Sequence, residues 1–235
     1  MKVLKVGCNK KILEQNPQKS FQLFSERILK GVKRNQIIPT GSFAYELKDL
    51  GDVFSERGQK NEMNKVSKKL AETLVSLKNN ELASVVYSFL VKFNGDNPKL
   101  AEEIATNGLA VARRLKDDVH IVARCHDLRS IYKSNSSNAE KMLKVMYEEK
   151  RALNNIVKNY DGAKERFNTI SREMKPKENY EIMLGNLKLD IAILLSEKEP
   201  KTAIIELKEA REIFEQLGNQ EKVIGKINAL LKNLQ

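Results

Sequence analysis

Apolar side chains recur along this chain at three- and four-residue intervals, and nowhere do they alternate as a half-buried strand would. The first run follows Asn16-Pro17, a capping residue ahead of a proline suited to an opening helical turn. From there Phe21, Phe24, Ile28, Leu29 and Val32 predict a helix over about 17–34, and residues 36–41 break the period as a linker. Ser42 is the expected cap of a second helix, with Phe43, Leu47, Leu50 and Phe54 on one stripe and Gly58 at its end. A partner helix carrying Met63, Val66, Leu70, Leu74 and Leu77 follows.

The same grammar recurs. Residues 82–93 are apolar and stop at Asn94-Gly95-Asp96-Asn97-Pro98, after which Leu100, Ile104, Val111 and Leu115 form the next stripe. Asp117-Asp118 closes it. Further helices are expected over 119–133 and about 139–158, joined by a turn at 134–137. Asp161-Gly162 predicts a break, and a short helix over 163–174 should end before Pro176. Residues 179–197 and 201–217 form a pair across Glu199-Pro200. Asn219 should open a terminal helix whose inner face is Val223, Ile227, Leu230 and Leu234. The chain therefore reads as all-α, built of antiparallel helix pairs.

Helix pairs in series call for a search for repeats. The first helices carry Leu47-x2-Leu50-Gly51-x2-Phe54, Ser84-x2-Tyr87-Ser88-x2-Val91, Cys125-x2-Leu128-Arg129-x2-Tyr132 and Lys188-x2-Ile191-Ala192-x2-Leu195. The second helices carry Ala101-x3-Ala105-x2-Gly108 and Ala203-x3-Leu207-x2-Ala210. Small residues let helices approach closely, and large ones fill the space between neighbouring pairs. Over about residues 42–218 these segments resemble the tetratricopeptide (TPR) repeat family, in degenerate form. The matching positions 50, 87, 128 and 191 are spaced by 37, 41 and 63, where the family repeats every 34 residues or so. The resemblance implies a TPR-like α–α superhelix over 42–218, with a basic arm and helix at 1–41 and a capping helix at 219–235.

Composition adds little to the fold but bounds the chemistry. The 235 residues include 11 Gly, 5 Pro and no Trp, sparse punctuation for a β protein. Cys8 and Cys125 exclude a disulfide framework, and no apolar run is long enough to span a membrane. A reduced, cytoplasmic protein without membrane attachment is the expectation. His120 and His126 cannot complete a zinc set with Cys125, and no nucleophile motif or phosphate loop occurs. Cys125 is expected to pack between helices and His126 to face outward. Acidic pairs such as Glu102-Glu103, Asp117-Asp118 and Glu148-Glu149 read as solvated helix faces and ends. No enzymatic activity, metal or cofactor is expected.

The TPR register implies that first helices line a concave surface for a peptide or a partner helix. It would place there Tyr45, Lys48 and Asp52 from the first pair, Val85, Phe89, Lys92 and Phe93 from the second, and His126, Ser130 and Lys133 from the third. The family's carboxylate clamp, a Lys and an Asn four apart, is missing: Lys48 is followed by Asp52 and His126 by Ser130. Tyr87 and Val91 hold signature positions and are expected in the core, leaving Phe89 and Phe93 to the groove.

Charge supplies the competing reading. The net charge is +11, and residues 1–41 hold nine basic side chains against two acidic ones. Lys10, Lys11, Lys19, Arg27, Lys30, Lys33 and Arg34 are therefore candidate anion contacts. The primary expectation is a non-enzymatic protein–protein interaction module. The alternative is a basic helical-repeat protein binding nucleic acid or another polyanion, which steep loss of binding with salt would mark.

Overall fold

The computed structural model describes residues 3–7, 10–133, 138–167, 174–218 and 220–234. These are nearly all helical. In chain order the helices are α1 (Lys10–Gln15), α2 (Pro17–Lys33), α3 (Thr40–Glu56), α4 (Lys60–Ser76), α5 (Asn80–Phe93) and α6 (Pro98–Leu115). They continue as α7 (Asp118–Lys133), α8 (Ala139–Lys158), α9 (Tyr160–Phe167), α10 (Lys177–Leu195), α11 (Pro200–Leu217) and α12 (Glu221–Leu234). Among the described residues the extended pairing is one isolated bridge, Val3 with Ile37, where the Leu4 amide donates to the Ile37 carbonyl at 2.8 Å.

Asparagine sets several of the starts. Asn16, Asn79 and Asn97 each accept, through Oδ1, the amide three residues on, at 3.0, 3.1 and 3.2 Å. That satisfies a donor the helix cannot pair internally. Proline follows in two of the three, Pro17 and Pro98, with its φ already helical. Gly58, at φ +66, carries the reversal between α3 and α4.

The chain divides into two compact units, one formed chiefly by Met1–His120 and the other by Ile121–Lys164 with Met174–Gln235. The first therefore holds the N-terminal arm as well as α2 to α6. Its core opens with phenylalanines: Phe24 stacks on Phe43 with centroids 5.5 Å apart, and Phe21 meets Phe54 edge-on at 6.5 Å. All four are buried. Consecutive helices α3, α4, α5 and α6 then pack in series, and α3 also packs on α5. Asn64 of α4 and Asn94, just beyond α5, exchange hydrogen bonds of 2.7 and 2.8 Å. In the second unit α10 packs on both α8 and α11, and α11 on α12. Leu128, Met146, Ile156, Ile191 and Phe214 are enclosed there.

Four features differ from the sequence reading. Ser42 caps nothing, because α3 begins at Thr40: Pro39 fixes the entry backbone and its carbonyl accepts the Phe43 amide at 3.0 Å. The break after α8 falls at Asn159, not at Asp161-Gly162, and α9 runs through both residues. Gly162 lies close under the Asn159 side chain, whose Oδ1 would stand 2.7 Å from a Cβ placed there. On α12 the buried side chains are Ile227 and Leu231, with Val223, Leu230 and Leu234 half-buried, so the inner face is turned by one residue. Helix α1 carries only Ile12 and Leu13 as apolar residues, too few to show a period. The expected turn at 134–137, the later part of the 163–174 helix and the Asn219 start lie outside the described residues.

Candidate functional site

The first unit brings two of the expected side-chain sets together. On α3, Tyr45, Lys48 and Asp52 follow i, i+3, i+7 and share the stripe beside Gly51. Tyr45 is 72% exposed. Lys48 Nζ lies 2.9 Å from Asp52 Oδ2, and this hydrogen bond raises the lysine pKa. On α5, Phe89 and Phe93 stack with centroids 5.3 Å apart. They settle onto α3 because Gly51 has no side chain: a Cβ there would stand 2.8 Å from Phe89 Cζ and 3.3 Å from Phe93 Cδ2. Lys60 of α4 sits 5.4 Å over the Phe93 ring and bonds Asp96, which holds that carboxyl below its usual range.

Burial separates the two sides of α5. Tyr87 and Val91 are buried; Val85, Phe89 and Phe93 are half-buried; Lys92 is exposed. The phenylalanine pair is thus neither enclosed in the core nor standing free, but seated against α3 with part of its surface open.

The third expected set belongs to the second unit. His126, Ser130 and Lys133 are all exposed and follow i, i+4, i+7 along α7. Ser130 Oγ donates to the His126 carbonyl at 2.9 Å, and Cys125 beside it is buried. On α2 and its C-cap, Lys19, Arg27, Lys30, Lys33 and Arg34 are all exposed. Arg27 Nη1 donates to the Gly7 carbonyl at 2.8 Å, tying that guanidinium to the N-terminal segment. The side chains of Lys10 and Lys11 lie outside the described residues. Among the described residues no group of three or more His, Cys, Asp or Glu could hold a metal ion, and no helix is long and apolar enough to cross a membrane.

The acidic pairs do not all sit on solvated faces. Asp117 is half-buried and caps α7: its Oδ1 accepts the Val119 amide at 2.9 Å, and its Oδ2 lies 3.1 Å from His120 Nδ1. Burial alone would raise the Asp117 pKa, but the bonds from His120 and the backbone bring it below the ordinary value. Glu81, half-buried nearby, is pushed up, chiefly by burial.

Glu149 is a larger departure. Its side chain is 1% exposed, on the inner face of α8. Arg129 of α7 reaches it with Nε 3.4 Å from Oε2 and reaches Asp190 of α10 with Nη1 at 3.1 Å. A second chain of charges joins Lys150 of α8 to Glu206 of α11, Glu206 to Lys188 of α10 at 3.5 Å, and Lys188 to Glu209. Lys188 and Glu206 are both buried. The sequence held a sign of each. Glu149 falls between Val145, Met146 and Ala152, Leu153 at helical spacing, inside an apolar stripe. Lys188 occupies the opening position of the fourth repeat-like segment, where a large apolar residue is expected.

No family's sequence profile matches this chain, and no curated protein matches it. Among solved structures, that of BtubC (BKLC) from P. vanneervenii is similar, with a TM-score of 0.53 and 13% identity. The match covers 95% of this chain and 82% of BtubC. At that identity the likeness is one of fold.

Proposed function

We propose that this chain is a non-enzymatic interaction module of the TPR-like solenoid type, binding a peptide or a partner helix on the first helices of its pairs. The observation that carries this reading is the face shared by α3 and α5. Helix α3 carries an exposed Tyr45 and an exposed Lys48–Asp52 pair, and two stacked, half-open phenylalanines of α5 are seated on its Gly51. A surface of this kind combines aromatic area with charged positions at its edge, which is what a peptide-binding patch requires. The solenoid reading is supported by the chain-order packing of α3 to α6 and of α10 to α12, and by glycines at close approaches, Gly51 under Phe89 and Gly185 under Phe214.

Retention of a partner from native lysate by the wild-type chain, and its loss in a Tyr45→Ala/Lys92→Glu variant, tests the reading. Both residues are exposed, so the variant keeps its fold. Half of each sample is treated with nuclease. Capture that ends with nuclease and with moderate salt, and that depends on Lys19, Lys30 and Lys33 of α2, would favour the polyanion reading instead.

A further inference from the structure

One guanidinium in the second unit serves two carboxylates. Arg129 meets Asp190 at 3.1 Å, within hydrogen-bond distance, and Glu149 only at 3.4 Å. Glu149 Oε2 is buried and accepts no hydrogen bond. The two acids differ in their access to water, because the Asp190 side chain is 53% exposed and that of Glu149 is 1% exposed. Water can solvate a charge on Asp190. A charge on Glu149 has only half of an arginine, and a buried carboxylate so poorly paired is the one that takes up a proton.

The other charges around α8 do not relieve it. From α11, Glu206 is occupied by Lys150 and Lys188. From α10, Lys188 is turned to Glu206 and Glu209. Lys150, next to Glu149 in sequence, bonds Glu206 and lies 5.0 Å over the Tyr147 ring. From α7 the cation that reaches Glu149 is Arg129. Two carboxylates facing one cation, with a second, self-satisfied network beside them, make a site that holds one negative charge comfortably and two badly.

We propose that Glu149 is a proton-operated latch within the second unit. Protonated, it lets α8 lie on α10 with no uncompensated charge and leaves Arg129 to Asp190. Deprotonated, it places a second buried charge at the same contact and loosens α8. The inference concerns regulation of the fold and stands apart from the proposed binding face. Burial pushes the Glu149 carboxyl up to about 7, with Arg129 opposing and Asp190 adding to the rise, so the switch works around neutrality. The sign follows from linkage. A carboxyl whose folded pKa exceeds its unfolded one gives stability that is complete below the unfolded value and lost as pH rises through the folded one.

The full-length wild-type chain and Glu149→Gln, a neutral mimic of the protonated form, are compared by thermal unfolding from pH 5 to 8, alongside a carbon-13 titration of the Glu149 carboxyl. The two chains should unfold together near pH 5, and the wild type should fall below the variant as pH rises towards 8. The carboxyl should titrate near 7, not at the ordinary 4.5. Asp190→Asn should lower that midpoint, and Arg129→Gln should raise it; a purely structural contact would move neither. Parallel unfolding curves, or a wild-type midpoint close to 4.5, would overturn the latch. The titration decides by itself if Glu149→Gln does not fold.

Discussion

Phe214 on α11 fills the place of a side chain that Gly185 on α10 does not have: a Cβ there would lie 2.7 Å from the ring's Cζ. The same relation holds between Phe89 and Gly51, at 2.8 Å. The difference is freedom to move. Phe214 is enclosed, while Phe89 is half-buried.

Gly185→Ala should therefore destabilise the second unit. Overpacking of about 1–3 kcal/mol exceeds the roughly 0.5–1 kcal/mol that Ala gains over Gly in a helix. Gly51→Ala should cost less, because the Phe89 ring can shift outward. Urea unfolding of both variants checks the order, and equal losses would mean that burial of the ring does not matter.

Lys188→Met removes one of the two lysines on Glu206. The loss should be about 2 kcal/mol, below the roughly 3–5 kcal/mol of a fully orphaned buried charge, since Lys150 remains. Adding Glu206→Gln should recover part of it. A double-mutant cycle by chemical denaturation reads the coupling, and strict additivity would show the pair to be energetically idle.

At the start of α7, Asp117 combines a cap with a charge. Asp117→Ala should cost about 1 kcal/mol through the lost cap, while Asp117→Asn keeps the cap and loses only the pairing with His120. Because the folded pKa lies below the ordinary carboxylate value, the charge contributes above that value and its contribution fades as pH falls through the folded one. Wild type and Asp117→Asn should thus differ at pH 7 and converge towards pH 3 in thermal melts, whereas Asp117→Ala stays lower throughout.

Removing α12 by truncation after Gly218 should lower the melting temperature and promote association. Ile227 and Leu231 are buried in a helix that packs on α11, so its removal would bare apolar surface on α11. Size-exclusion chromatography with a thermal scan reads both effects. Unchanged elution and melting would show that α12 shields nothing.

Helix placement follows from short-range rules. A three-to-four residue period, an Asn ahead of a Pro, and a Gly at a reversal act within one or two turns, and so the runs from Pro17 to Lys33 and from Pro98 to Leu115 can be read from neighbours in the chain. The expected binding face comes from the TPR register that the resemblance implies; spacing adds only that Tyr45, Lys48 and Asp52 lie on one side of their helix. Long-range packing settles the rest. Glu149 looks like half of an ordinary acidic pair until α10, some forty residues on, closes over α8 and Arg129 turns in from α7. Phe89 and Phe93 are half-buried, not free, because Gly51, on another helix, makes room for the rings. A stripe says which side of a helix is apolar. Which charge stays on that side, and what faces it, depends on the neighbour that arrives, and no spacing within a single helix carries that information.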